Sequence, residues 1–215
     1  MDDRFIRQQG IIPAHKLREQ PFTVIGVGAV GSFVALNLAK AGADDITIWD
    51  HDDVEDHNIP NQWYRESDLG TKKVHALAEI VKAFTGTEIK TKAMKYTRGN
   101  ISGVVICCVD SMDTRIRIWD QVQKQQPALY IDSRMGAEIG KVYVVNPASP
   151  SSCEAYEENM YPSSEAHQAP CTEKATMYCA SGLASWVSAS VSGYVRGIRS
   201  KSIIIDFRNM QILPG

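Results

Sequence analysis

The sequence predicts a doubly wound α/β fold: a mostly parallel sheet whose last strands run antiparallel. Three observations carry that expectation. A short apolar run, residues 22–26 (FTVIG), passes through glycines into a helical pattern and then a second apolar run, residues 46–50 (ITIWD). Strand, glycine turn, helix and strand so close together form a βαβ unit, whose crossover is right-handed. Residues 103–109 (GVVICCV) are continuously apolar, as befits a parallel strand covered on both faces. Residues 202–213 read as a hairpin around Arg208 and Asn209, which closes the sheet with antiparallel strands.

The remaining elements follow in order. The polar residues 1–20 are expected to be helical or to wrap the surface. Residues 32–41 continue the first crossover with apolar positions at helical spacing. In residues 73–84, Val74, Leu77, Ile80, Val81 and Phe84 repeat at helical spacing. Residues 88–94 alternate like an edge strand. A helix is expected over 114–124, strands over 128–132 and 138–145, and a helix of small residues over 180–198. Between them, residues 147–170 are polar and proline-bearing and read as a long loop, a feature that in compact domains is usually functional or disordered. One domain is expected across residues 1–215, with residues 147–175 as a long crossover-like loop.

Bulk composition narrows the function classes. The 215 residues carry a net charge of −2, which offers no electrostatic footprint for nucleic acid or an anionic membrane. No apolar run has the length of a membrane span, and the opening MDDRFIRQQG has no signal-peptide core. Five cysteines at scattered spacing, an odd number, fit a reducing cytoplasm better than a disulfide scaffold.

Gly26, Gly28 and Gly31 fit G-x-G-x-x-G in the setting that motif needs, after a strand and opening a helix. Such glycines permit a tight turn and close approach of backbone to phosphate at a helix N-terminus. Asp50 lies 24 residues beyond Gly26, where a carboxylate accepts from ribose hydroxyls. The motif predicts a nucleotide but does not by itself separate NAD from ATP.

Four further landmarks follow in order between residues 4 and 115. Residues 4–8 (RFIRQ) resemble an R-[YF]-x-R-Q signature. Residues 50–62 (DHDDVEDHNIPNQ) are similar to D-x-D-x-V-x-x-x-N-L-x-R-Q, with Asp52, Asn58 and Gln62 on their expected positions. Residues 68–74 (DLGTKKV) resemble D-[IV]-G-x-x-K-[AV], and residues 107–115 (CCVDSMDTR) an apolar strand ending in [CA]-x-D-[NS]-x-x-x-R. Together they resemble the ubiquitin-activating enzyme superfamily, in particular its ThiF-, MoeB- and HesA-like members. The resemblance implies a Rossmann-like adenylation domain that uses ATP and Mg²⁺. It activates the C-terminal carboxylate of a small ubiquitin-like or sulfur-carrier protein with a glycine tail, and works as a homodimer.

It also implies roles. Arg7 reaches the ATP phosphates across a dimer interface, Lys73 contacts the phosphates, and Asp110 holds Mg²⁺. Gly26, Gly28, Gly31, Asp50, Asp52, Asn58 and Gln62 line the nucleotide. Asn61 stands where the family carries a phosphate-contacting arginine, and Arg65 is a substitute if that segment is helical. Asp113 is read as a helix cap and Arg115 as an ion-pair partner within the same unit. Cys107, Cys108 and Cys179 are read as packed. Cys171, beside Pro170 at the end of the polar loop, resembles the transfer cysteine of the ubiquitin-activating branch; a nucleophile and an incidental exposed thiol are both open readings. The C-x-x-C pairs that hold zinc in several bacterial relatives are not in the sequence. Two rival readings remain: a nicotinamide-dependent oxidoreductase, and a catalytically weakened scaffold subunit of a heterodimeric activating enzyme.

Overall fold

The structure is a computed structural model that describes residues 3–165 and 175–215. Helix α1 (Ala14–Arg18) precedes the expected βαβ unit of β1 (Phe22–Ile25), α2 (Ala29–Ala41) and β2 (Ile46–Trp49). Then come α3 (Lys73–Thr85), β3 (Lys90–Lys92), β4 (Val104–Cys107), α4 (Met112–Gln125), β5 (Leu129–Gly136) and β6 (Ile139–Val145). The chain ends with α5 (Pro150–Glu157), α6 (Met177–Val195), β7 (Ile203–Asp206) and β8 (Gln211–Pro214). One sheet runs β3-β2-β1-β4-β5-β6-β7-β8. Its first five strands pair in parallel, and β6, β7 and β8 add antiparallel.

Burial explains why these residues form these elements. Every residue of β1 and β4 is buried, because helices cover both faces of the sheet centre. One face packs under α2, α3 and α6, where Val24, Ile48 and Ile106 meet Val34, Leu77 and Leu183. The other lies under α4 and α5, where Val105, Cys107 and Tyr130 meet Ile118, Trp119 and Tyr156. Helix α2 is apolar on most of its circumference because it is sandwiched, with Val30, Phe33, Val34, Leu36 and Leu38 all buried. By contrast, β3 (KTK) is a polar edge strand. Phe84, an apolar position of the α3 pattern, is 58% exposed; Lys40 lies over its ring at 5.0 Å.

The polar stretch after residue 147 is not all loop. Its first third forms α5, with Pro150 in the first turn and Tyr156 buried against Trp119 at 4.7 Å between ring centroids. Proline suits a helix start because its missing N–H has no helical acceptor there. A single buried anchor in a polar sequence gives no visible periodicity, which is why the helix is absent from the pattern. The terminal hairpin is as expected: β7 and β8 pair Asp206 with Gln211, and Asn209 N and Nδ2 donate to the Asp206 carboxylate at 2.9 and 2.8 Å. Among the described residues, no helix is long and apolar enough to cross a membrane.

Ile106 is fully buried in the central β4. Ile106→Ala is expected to cost about 2–5 kcal/mol, read as a lower urea midpoint with an unchanged m-value. Phe84→Ala, at an exposed site, is expected to cost under about 1 kcal/mol.

Candidate active site

The site begins where β1 hands over to α2. Gly26 sits at φ +86°, and a side chain there would lie 2.8 Å from the carbonyl oxygen of Cys108 on the neighbouring strand. A side chain at Gly31 would lie 1.9 Å from the Gly26 carbonyl. The fold itself demands both glycines. Gly28 is different: a Cβ there would meet only the Gln62 side chain, at 3.9 Å from Oε1 and 4.0 Å from Nε2. The first helical bond of α2 runs from Ser32 N to Gly28 O, so amides ahead of Ser32 have no helical acceptor. Gln62 Oε1 is buried with no hydrogen-bond partner among the described residues. A gap over free helix-end amides fits a phosphate group, and the orphaned amide oxygen beside it calls for a donor such as a ribose hydroxyl.

The loop after β2 braces this turn. Asp50 Oδ2 accepts from Val27 N at 2.8 Å, and Oδ1 from Asp52 N at 3.0 Å. Tyr64 donates its hydroxyl to Val27 O at 2.6 Å, and Trp63 N donates to Ser32 Oγ at 3.0 Å. Burial first, then the charges of Asp50, Asp68 and Asp52, push the Tyr64 phenol well above its ordinary range, so it remains a neutral donor. Asp50 is therefore built into the turn, its side chain 8% exposed, with spare lone pairs for a ribose hydroxyl. Asn58 is a loop builder: its Oδ1 accepts from Glu55 N at 2.9 Å, and it is buried. Ser32 and Tyr64 escaped the sequence reading, because each acts through a contact more than thirty residues away.

Arg65 is not offered to a phosphate. It flanks a short 3₁₀ turn and grips Asp68, with Nη2 at 2.7 Å from Oδ1 and Nε at 3.0 Å from Oδ2. That corrects its reading as a substitute for the missing arginine. Asn61 Oδ1 is another buried oxygen with no partner among the described residues.

Lys73 opens α3 with its side chain 8% exposed and Nζ 3.3 Å from Oδ2 of Asp52, itself half exposed. Asp110 is exposed just beyond the end of β4. Register fixes its neighbourhood, since Ile25 pairs with both Trp49 and Cys107. Gly26, Asp50 and Cys108 thus occupy one row at the carboxyl ends of three parallel strands, at the point where strand order reverses. Open α/β sheets bind ligands there. Lys73 reaches this rim through Asp52, and Asp110 follows Cys108 by two residues.

Helix α4 is capped by Ser111, whose Oγ accepts from Thr114 N at 3.3 Å, not by Asp113. Asp113 instead exchanges bonds with Ser163, accepting from its N at 3.2 Å and donating its own N to Oγ at 3.1 Å. Arg115 pairs outside its unit, with Asp132 on β5 at 2.7 Å.

Among the described residues, Asp50, His51 and Asp52 are the group whose ligand atoms approach within 4.8 Å. Backbone amides already use Asp50, and Lys73 uses Asp52. Asp110 offers one exposed carboxylate, which suits Mg²⁺ because that ion takes one or two carboxylates and completes its shell with phosphate oxygens and water.

Arg7 lies elsewhere. It is exposed, and its neighbours grip the far end of α2: Gln8 Nε2 donates to Ala41 O at 2.8 Å, and Phe5 packs at Gly42. The 13 residues of α2 separate that end from the glycine turn by about 20 Å. Burial pushes the thiols of Cys107, Cys108 and Cys179 up to about 12, in keeping with packing roles. Cys171 lies outside the described residues.

Gly28→Ala is expected to leave the fold intact while weakening ATP binding at least about tenfold, because the new methyl occupies the gap. Gly31→Ala is expected to lower thermal stability itself. Thermal melts and ATP titration by calorimetry read the two effects separately.

Comparison with known proteins places this geometry. The chain is 30% identical over 133 residues to ubiquitin-like modifier-activating enzyme 5 of Culex quinquefasciatus, covering 53% of this chain and 34% of that protein. It is 26% identical over 124 residues to tRNA threonylcarbamoyladenosine dehydratase 1 of Saccharomyces cerevisiae, covering 52% and 28%. The alignments thus span about a third of the length of these curated relatives. Among solved structures, E. coli MccB with ATP superposes on the whole chain and 71% of its own, at a TM-score of 0.81 and 14% identity. PaaA superposes on 98% of the chain and 68% of its own, at 0.76 and 18%. At such identities the likeness establishes the fold, and the fold is the expected Rossmann-like one. The ThiF family model matches residues 4–213, and the chain belongs to that family.

Proposed function

We propose that the chain is an ATP-dependent adenylyltransferase that activates the C-terminal carboxylate, ending in glycine, of a small ubiquitin-like or sulfur-carrier protein. The observation that carries this reading is the gap at Gly28. It faces the unpartnered Gln62 Oε1 on a rim shared with a buried lysine and an exposed aspartate. A nicotinamide enzyme has no use for Lys73 and Asp110 on that rim. The relatives support an adenylating class: one is named for activating a ubiquitin-like modifier, and MccB has been solved with ATP and with MccA.

In this mechanism the phosphates lie over Gly28 at the N-terminus of α2, and the ribose lies toward Asp50. A carboxylate oxygen of the partner attacks the α-phosphorus in line. The bond from that phosphorus to the bridging oxygen breaks, and pyrophosphate leaves with the electron pair. The product is an acyl adenylate, a mixed anhydride. No side-chain base is needed, since a carboxylate is already ionised at neutral pH. Lys73 exchanges its contact with Asp52 for a phosphate oxygen and neutralises charge as it spreads over the phosphates. Asp110 would hold Mg²⁺, which when bound supplies further neutralisation of the phosphate oxygens. Arg7, too far from its own glycine turn, serves the site of a second copy in a homodimer. Cys171, outside the described residues, is the candidate acceptor for a following transfer step, and the cytoplasm is the setting.

Isotope exchange between pyrophosphate and ATP, in the presence of a glycine-ended partner, tests the reading. Lys73→Ala and Asp110→Ala are each expected to lower exchange by about 10²–10³, and NADH titration is expected to give no binding. Exchange by neither wild type nor variants, or tight NADH binding, would overturn it. For the homodimer, Arg7→Ala and Lys73→Ala proteins are each expected to be inactive alone. An equal mixture is expected to recover about a quarter of wild-type activity, because half the dimers are mixed and each holds one intact site.

A further inference from the structure

Beside the proposed site lies a buried ionic network that the adenylation chemistry does not use. Arg115 on α4 is 3% exposed and Asp132 on β5 is fully buried. The Arg115 guanidinium makes four contacts. Nε meets Asp132 Oδ1 at 2.7 Å, Nη2 donates to Val109 O and, at 3.3 Å, to Ser133 O, and Nη1 lies 3.2 Å from Met112 Sδ. Val109 precedes Asp110 and Met112 follows it by two residues. One guanidinium therefore grips the turn that carries Asp110 on both sides.

The network continues beyond that turn. Asp132 Oδ2 accepts from Arg134 Nε at 2.8 Å and from the Tyr156 hydroxyl at 3.0 Å. Arg134 Nη1 then donates to Asn159 O at 2.7 Å, and Nη2 lies 3.4 Å from Met160 Sδ. The guanidinium of Arg134 stacks over Tyr143 at 4.6 Å and Tyr156 at 5.6 Å. Three residues later, Ser163 exchanges two bonds with Asp113. The segment after α5 is thereby fastened to β5 through Arg134 and to the start of α4 through Asp113.

Stability alone does not account for such an arrangement. Two guanidiniums around one carboxylate carry a large desolvation cost, and well-packed apolar residues of like volume often do as well or better. What an apolar cluster cannot supply is directional grip on backbone carbonyls. We propose that Arg115 and Asp132 are positioning residues, which hold the Asp110 turn and, through Arg134, tie it to residues 159–163. The claim rests on the adenylation reading for its purpose, since Asp110 is there the Mg²⁺-bearing group. Second-sphere contacts of this kind orient the group that binds the metal.

The test uses Arg115→Lys and Asp132→Asn, with Val187→Ala as a control cavity in α6 under the opposite face of the sheet. Hydrogen exchange of the nucleotide-free proteins is followed in peptides covering residues 108–114 and 158–164, and the Mg²⁺ dependence of ATP binding is followed by calorimetry. In both network variants the two peptides are expected to exchange at least about tenfold faster. The Mg²⁺ concentration at half-saturation is expected to rise about tenfold. Val187→Ala is expected to lower the melting temperature while leaving both readouts in place. If Arg115→Lys does not fold, Asp132→Asn decides. Network variants that lose stability yet move neither peptide nor the Mg²⁺ dependence overturn the positioning role. Loosening confined to residues 108–114 overturns the tie to the segment after α5. If the wild-type protein binds no ATP, the adenylation reading fails, while the exchange data still decide whether the network holds the turn.

Discussion

A carbonyl occupies the place where a side chain at residue 26 would be. The Cys108 oxygen stands 2.8 Å from that position, because β4 lies directly beside β1 with Cys107 paired to Ile25. This contact forces the glycine, and the glycine at φ +86° turns the chain so that α2 points its free amides at the rim. Two further elements depend on the turn. The loop after β2 closes on it through Asp50 and Tyr64, which hold Val27 by its N–H and its C=O. β4 in turn delivers Asp110 two residues past the contact. Glycine turn, braced loop and exposed carboxylate are consequences of one strand adjacency.

Charge follows the same plan. The buried cations near the rim are held by carboxylates of different exposure. Lys73 faces Asp52, which is half in water, whereas Arg115 faces Asp132, which is fully enclosed. An ammonium beside a hydrated carboxylate can exchange partners when an anion arrives, because water takes over the released carboxylate. A guanidinium locked on an enclosed carboxylate and two carbonyls has no such freedom. The first arrangement suits a group that meets substrate, the second a group that holds shape. Gln62 adds a neutral feature, an amide oxygen kept from water with no donor among the described residues, and hence a standing cost that a ligand donor removes.

Much of this was legible in the sequence where spacing is local. The strand, glycine turn, helix and strand appeared as read. So did the fully covered β4 and the antiparallel hairpin, because apolar runs and turn residues report their own neighbourhood. Strand order is what led the sequence to expect Gly28, Asp50 and Asp110 on one rim, and the register sets Gly26, Asp50 and Cys108 in one row. What escaped depends on partners distant along the chain. Tyr64 reads as an ordinary aromatic until its hydroxyl is seen on Val27 O. Arg115 looks like a partner for nearby acids, yet its partner comes from the next strand. Helix α5 has one buried anchor among polar residues and so carries no periodic signal. Arg65 departs from the reading because its backbone is extended ahead of a short turn and its side chain closes on Asp68.

The most direct measurement is a crystal structure of the protein with a non-hydrolysable ATP analogue and Mg²⁺. The phosphates are expected over Gly28, with an oxygen within hydrogen-bond reach of Lys73 Nζ now parted from Asp52, and the metal on the Asp110 carboxylate. A nucleotide bound away from the glycine turn, or seated there with Lys73 and Asp110 both out of contact, would contradict that arrangement.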